Sequence, residues 1–342
     1  MIMVGFRGTD LFKDPAVIRA IKDVGPGGVI LFDVDVPAGR KFPRNIVDAN
    51  QVKKLTEDLQ KISRIPLFIA VDAEGGRVNR LKSKYGFAEI PSAMEVGRKN
   101  DAAYTREVAD RLASEIAGLG FNMNFAPVVD VNINTDNPVI GTIDRSFSSD
   151  PKIVAMNAAI YIESARSKNV ISVLKHFPGH GSSAKDSHLG LVDVTESYKE
   201  EELLPYELLI AKDGVDCIMS AHIMNRNIDK DHPATLSPYF LKDILREKLR
   251  FEGAVISNDM QMGAIVTCYG FSDAVVSAVN AGCDIILASN NGGEYDELLA
   301  YKIRDAILKA VKDGRIPQGR ILEASGRIAR LKSKYFFTPT SR

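Results

Sequence analysis

The chain has 342 residues, 45% of them hydrophobic, with 44 acidic and 44 basic side chains and a formal net charge of zero, the composition of an ordinary soluble globular protein with a large core. This balance excludes the strongly basic face that nucleic acid or an anionic membrane demands, and no apolar run approaches the roughly 18 residues that span a bilayer. Met1 leads straight into apolar sequence without the segments of an export signal, and Cys217, Cys268 and Cys283 lack metal-type spacing, so a cytoplasmic location is expected, or a secreted or periplasmic one if a signal has been trimmed.

In chain order, short apolar, β-branched runs alternate with amphipathic segments long enough for helices. Strands are predicted at Ile2 to Phe6, Gly28 to Phe32, Pro66 to Val71, Asn122 to Val129, Ile171 to Lys175, Asp216 to Ala221, Ala254 to Ser257 and Asp284 to Ala288. Between them, Pro15 to Val24, Ile46 to Ile62, Ala102 to Leu119, Ile153 to Ser167, Glu200 to Lys212, Pro238 to Leu249, Ser272 to Asn280 and Glu294 to Lys312 carry apolar residues at helical spacing. A last helix, Ile321 to Leu331, would close the base.

Alternation of this kind implies a parallel sheet, and eight strands is the number that closes a barrel. No linker or charge run divides the chain, so residues 1–342 are expected to form a single α/β domain, a (β/α)8 TIM-type barrel. An open doubly wound sheet would share the alternation, and the residues at the strand ends argue against it. These are Arg7, Asp33, Asp72, Asp130, His176, His222, Asn258 with Asp259, and Asn290. In a barrel they converge on one rim, the rim where barrel enzymes place their chemistry.

The most specific segment is Lys175-His176-Phe177-Pro178-Gly179-His180-Gly181-Ser182-Ser183-Ala184-Lys185-Asp186-Ser187-His188, which holds three of the five histidines. In an Asp-x-His arrangement the carboxylate accepts from one imidazole nitrogen and holds the ring's tautomer, leaving the other nitrogen to move protons. A single histidine here would be read as a turn cap; three beside a strand end favour chemistry. A zinc site from His176, His180, Asp186 and His188 is a minority alternative, because proline and glycines separate the ligands. No metal and no cofactor is expected.

This segment is similar to the signature of glycoside hydrolase family 3, in particular its single-domain β-N-acetylglucosaminidases. The likeness extends over nearly the whole chain and includes Val71-Asp72-Ala73-Glu74-Gly75-Gly76-Arg77-Val78-Asn79-Arg80 and Asp144-Arg145-Ser146-Phe147. The resemblance implies that His188 acts as acid/base with Asp186 as its partner, and that Asp72, Arg80, Arg145, Lys175 and His176 contact the sugar. Asp72 has the chemistry to accept from two adjacent hydroxyls, while Lys175 and the guanidinium groups donate. Glu74 and Arg77 read as loop-stabilising partners, and Asp130, His222 and Asp259 as supporting groups behind the site.

A retaining glycosidase needs a carboxylate on the far face of the anomeric carbon. In the family's pattern that aspartate directly follows Ser or Thr and precedes Met by four positions, and in Val255-Ile256-Ser257-Asn258-Asp259-Met260-Gln261-Met262 this register falls on Asn258. Successive strand residues face opposite sides, so Asp259 does not simply replace its neighbour. An amide is a very poor nucleophile. Sugar binding should survive and turnover largely fail, as in a catalytic mutant whose other positions are intact.

The expected parent activity is retaining, exo-acting release of terminal β-linked N-acetylglucosamine from peptidoglycan fragments or chitin-type oligosaccharides, by a monomer or weak homo-oligomer. A β-glucosidase or an N-acetylglucosaminide phosphorylase on the same scaffold, or a non-catalytic sugar-binding barrel, remain the alternatives.

Overall fold

A computed structural model describes residues 1–12 and 15–337. Eight parallel strands form the centre: β1 (Ile2–Gly5), β2 (Gly28–Leu31), β3 (Phe68–Val71), β4 (Met123–Asn124), β5 (Ile171–Phe177), β6 (Cys217–Ser220), β7 (Ala254–Ile256) and β8 (Ile286–Ala288). Each pairs with the next in sequence, and β1 pairs with β8 in the register Met3 to Leu287. The circle closes where Ile256 bridges Ile285. The expected barrel is therefore present.

Two-residue periodicity explains why the sequence closes in this way. One parity of the strands, including Met3, Ile30, Phe68, Ala70, Met123, Ile171, Val173, Met219 and Ile256, forms one buried cluster inside the barrel. The other, including Val29, Leu31, Ile69, Val71, Leu174, Ile218 and Val255, joins the larger cluster under the helices. Apolar residues on both parities are the mark of strands buried on both faces.

The surrounding helices are α1 (Pro15–Asp23), α2 (Ala49–Ile62), α3 (Ala102–Gly118), α4 (Pro151–Ser167), α5 (Leu204–Ile210), α6 (Tyr239–Lys248), α7 (Phe271–Ala281), α8 (Leu299–Lys312) and α9 (Gln318–Phe336). Several begin at side-chain caps. Asp48 accepts from Gln51 N–H and so starts α2 three residues after the apolar pattern at Ile46 begins. Asp150, followed by Pro151, starts α4. The α9 helix reaches under the barrel, where Leu331 and Tyr335 join the inner cluster. There Lys332 Nζ donates to the carbonyls of Pro66 at 2.6 Å and Gly27 at 3.2 Å.

Several predicted elements differ in form. The strand expected over Asn122 to Val129 is regular only at Met123–Asn124, with a single further bridge from Val128 to Lys175. The segment Glu200 to Lys212 begins as a tight 3-10 turn, Glu200–Leu203, because Pro205 cannot donate at the start of α5. The α6 helix is wound loosely, and Leu249 N–H reaches the Ile244 carbonyl five residues back. The segment Glu294 to Lys312 becomes helical only at Leu299.

Candidate active site

The carboxyl-terminal mouth of the barrel opens into a cleft of about 510 Å³. Asp72, Arg80, Arg145, Lys175, His176, Asp186, His188, Asn258 and Asp259 all line it, so nine of the eleven residues expected as catalytic, sugar-contacting or supporting groups come together. The other two, Asp130 and His222, lie fully buried behind it. Arg7 and Asn290 do not line this cleft as expected. Arg7 pairs with Asp35 at 2.6 Å and borders a neighbouring groove, while Asn290 gives its carbonyl to Arg44 Nη2 at 2.6 Å. Asp33 is buried and supports Lys82 and, at 3.8 Å, Arg80.

One wall is built on a short antiparallel hairpin, Ala73–Gly75 against Val78–Asn79, that follows β3. Gly75 turns it at φ 97, and a Cβ there would lie 2.2 Å from the Pro91 carbonyl, so the position requires glycine. The hairpin aims Glu74 inward. Glu74 receives Arg145 through Nε and Nη2, both at 2.8 Å, and Lys175 Nζ at 2.6 Å. Burial alone would raise its pKa, but the charges of Arg145 and Lys175 outweigh it and hold the carboxyl at about 2. Lys175 also donates to Asp72 at 2.8 Å, and Arg80 stands 3.8 Å from that carboxylate.

Glu74, expected as a loop brace, is the hub that orients two cations of the cleft. Its position two residues beyond Asp72 was visible, but the inward turn comes from the hairpin against Pro91, a contact between distant segments.

Asp130 organises the histidines beside this wall. Its Oδ1 accepts from the backbone N–H of His176 at 3.1 Å and of His180 at 2.8 Å, and its Oδ2 meets His176 Nδ1 at 2.7 Å. The His176 ring is thereby fixed with Nε2 3.4 Å from Arg145 Nη2. Burial lowers the His176 pKa despite the pull of Asp130, favouring a neutral ring. On the loop beyond, His188 Nδ1 lies 2.7 Å from Asp186 Oδ1, which also accepts the His188 N–H at 2.8 Å. The His188 side chain is 63% exposed, leaving its other nitrogen accessible from the cleft.

Beyond β7, Asn258 keeps the inward parity of Ala254 and Ile256, both inner-cluster residues. Asp259 has the other parity. Its carboxylate accepts from Ser289 N–H at 3.0 Å and Gln261 N–H at 3.1 Å, while burial raises its pKa. Asn258 Oδ1 accepts the Asp259 N–H at 2.8 Å. His222, its pKa lowered to about 4 by burial, braces the same turn through the Asp259 carbonyl at 3.0 Å. Among the described residues, no group of three or more His, Cys, Asp or Glu is gathered to hold a metal ion, and no helix is long and apolar enough to cross a membrane.

A closed (β/α)8 barrel with its ionisable and hydrogen-bonding groups gathered in a cleft at the carboxyl-terminal mouth is the architecture of a barrel enzyme. Residues 9–331 match the Glycosyl hydrolase family 3 N terminal domain, and the chain belongs to that family. It is 37% identical over 295 residues to a Beta-hexosaminidase of Tolumonas auensis, covering 85% of this chain and 83% of that one. With Beta-hexosaminidase A of Pseudoalteromonas piscicida it shares 32% identity over 325 residues, 88% of this chain and 54% of that protein. The structure of a glycoside hydrolase family 3 beta-N-acetylglucosaminidase from Paenibacillus sp. str. FPU-7 superimposes with a TM-score of 0.88 at 35% identity, covering 98% of this chain and 61% of that one. The chain thus spans a little over half the length of two of these proteins.

Proposed function

We propose that residues 1–342 are a single catalytic domain built as a retaining, exo-acting β-N-acetylhexosaminidase, with His188 as acid/base, Asp186 as its partner and Asn258 standing at the nucleophile position. The observation that carries this reading is that the His188–Asp186 pair and Asn258 line one cleft together with Asp72, Arg145 and Lys175. The printed activities of the relatives point the same way.

In the parent reaction an aspartate at position 258 attacks the anomeric carbon as the glycosidic bond breaks, and His188 gives its proton to the departing oxygen. His188 then takes a proton from water, which attacks the glycosyl ester and frees the carboxylate. Asp72 accepts from hydroxyls of the terminal sugar, and Lys175, Arg80 and Arg145 donate to hydroxyl or acetamido oxygens. Glu74 and Asp130 hold these groups in place before substrate arrives, which lowers the cost of organising them in the transition state. The substrates suited to this site are peptidoglycan fragments or chitin-type oligosaccharides ending in N-acetylglucosamine.

Asn258 has no charge with which to form or stabilise the ester, so the chain as it stands binds sugar and turns over slowly. Replacing Asn258→Asp is expected to raise the hydrolysis of a chromogenic β-N-acetylglucosaminide at least about a hundredfold. A variant no faster than the starting chain sinks the assignment of position 258. The second reading, a sugar-binding barrel without turnover, is favoured by Asn258 itself. It predicts N-acetylglucosamine binding by calorimetry with no gain from Asn258→Asp.

A further inference from the structure

Between the sugar-facing wall and the exposed His188 runs a line of buried polar side chains to which the reaction just described assigns no part. Ser187 sits between the two members of the Asp186–His188 pair, and its residue is only 3% exposed. Asp186, Ser187 and His188 all border the cleft, and Ser187 is the buried member of the three. Its hydroxyl lies 3.2 Å from Nε2 of the buried His180, which also borders the cleft.

The His180 ring is held from both sides along this line. Ser183 Oγ lies 3.0 Å from the His180 carbonyl and 2.7 Å from His180 Nδ1. Burial keeps the His180 ring neutral, with a pKa lowered to about 4. Its two ring nitrogens are held between the hydroxyls of Ser183, at Nδ1, and Ser187, at Nε2. The His180 backbone N–H is in turn gripped by Asp130, so the ring is held at both its main chain and its side chain.

The outer side of the same loop is stitched to the segment that follows Asn258. The Ser187 carbonyl accepts Ala264 N–H and the His188 carbonyl accepts Gly263 N–H, both at 3.2 Å. Gly263 has no side chain to hold this contact open, since a Cβ there would lie 2.5 Å from the His188 carbonyl. The pair is thus pinned from behind by Ser187 and from the side by Gly263.

We infer that Ser187 and His180 are positioning residues, whose hydrogen bond fixes the Asp186–His188 pair at the distance from the anomeric centre that proton transfer requires. The inference rests on the reading of His188 as the acid/base. Neither residue is asked to touch the reacting atoms. Misplacing an acid by about 1 Å costs up to about a hundredfold in rate, so loss of one hydroxyl has a measurable kinetic consequence.

The test compares leaving groups in the Asn258→Asp background. An alkyl β-N-acetylglucosaminide needs protonation of its departing oxygen; a dinitrophenyl one does not. Ser187→Ala is expected to lower kcat/KM for the alkyl substrate about tenfold to a hundredfold and for the dinitrophenyl substrate less than about threefold. Ser187→Thr, which keeps the hydroxyl, is expected to restore most of the loss. A contact from Ser187 to the sugar, or general damage to the fold, costs both substrates alike, and an equal loss or no loss overturns the inference.

Histidine ring NMR on the unaltered chain gives a second measurement that needs no turnover. Ser187→Ala is expected to shift the His180 and His188 ring signals together. A His188 signal that stays in place overturns the positioning role even if Asn258→Asp proves inactive on every substrate, a result that would instead count against the proposed function.

Discussion

Replacing Glu74→Gln removes one charge from the cleft wall and leaves the volume unchanged. A carboxyl held at about 2 in the folded chain against an ordinary 4.5 is stabilised as the anion by about 3 kcal/mol, at about 1.4 kcal/mol for each pH unit between the two values. The residue is only 7% exposed, so solvent screening discounts this little. The sign follows from linkage: because the folded value is depressed, the contribution is fully present above pH 4.5 and is lost as pH falls toward 2. Glu74→Gln is therefore expected to lower the unfolding free energy by about 3 kcal/mol at pH 7, and by about a third less at pH 3.5. Urea unfolding followed by far-UV circular dichroism measures this, since the chain has no tryptophan to report by fluorescence. A difference below about 1 kcal/mol at pH 7, or one that does not shrink in acid, refutes the hub role of Glu74. Affinity for N-acetylglucosamine should fall in the same variant, because Arg145 and Lys175 lose the anion that orients them.

Three further outcomes follow from the geometry. His180 and His222, both held near 4 against an ordinary 6.5, take up protons only on unfolding, so stability falls as pH drops below 6.5; Glu202, pushed up to about 7 by burial, opposes this. Glu202→Gln is expected to steepen the fall between pH 6.5 and 4.5 by about 1.4 kcal/mol per pH unit, and an unchanged slope in urea titrations at several pH values counts against the buried charge. Gly263→Ala places a Cβ 2.5 Å from the His188 carbonyl and, in the Asn258→Asp background, is expected to lower kcat while sugar affinity holds; kinetics showing kcat intact would show that the loop is not braced there. Leu331→Ala opens the inner core beneath the barrel and should cost about 2–4 kcal/mol by urea midpoint, against a negligible cost if α9 only rests on the surface.

The barrel was legible in the sequence because it rests on local signals. Eight apolar runs of strand length alternate with helical patterns, and apolar residues fill both parities of a strand, as in Phe68, Ile69, Ala70 and Val71, which declares burial on both faces. Strand-end polar residues at Asp72, Lys175, His176 and Asn258 then converge through the barrel's own symmetry. Parity along β7 favours Asn258 over Asp259 as the inward residue, and the turn beyond the strand brings both to the cleft.

What only the tertiary structure decided are contacts between segments far apart in the chain. Glu74 became a hub because the 73–79 hairpin folds back against Pro91 and meets Arg145, 71 residues away. Ser187 became a pin because the His180 it meets is held in place by Asp130, 50 residues away. Arg7 and Asn290, read as rim residues, were drawn aside by Asp35 and Arg44. Propensity and periodicity are properties of neighbouring residues, and they set which faces of each strand and helix are buried. The partner of a buried charge is chosen instead by which distant groups the closed barrel brings within hydrogen-bond reach, where an unpaired charge costs several kcal/mol, and no local pattern encodes that choice.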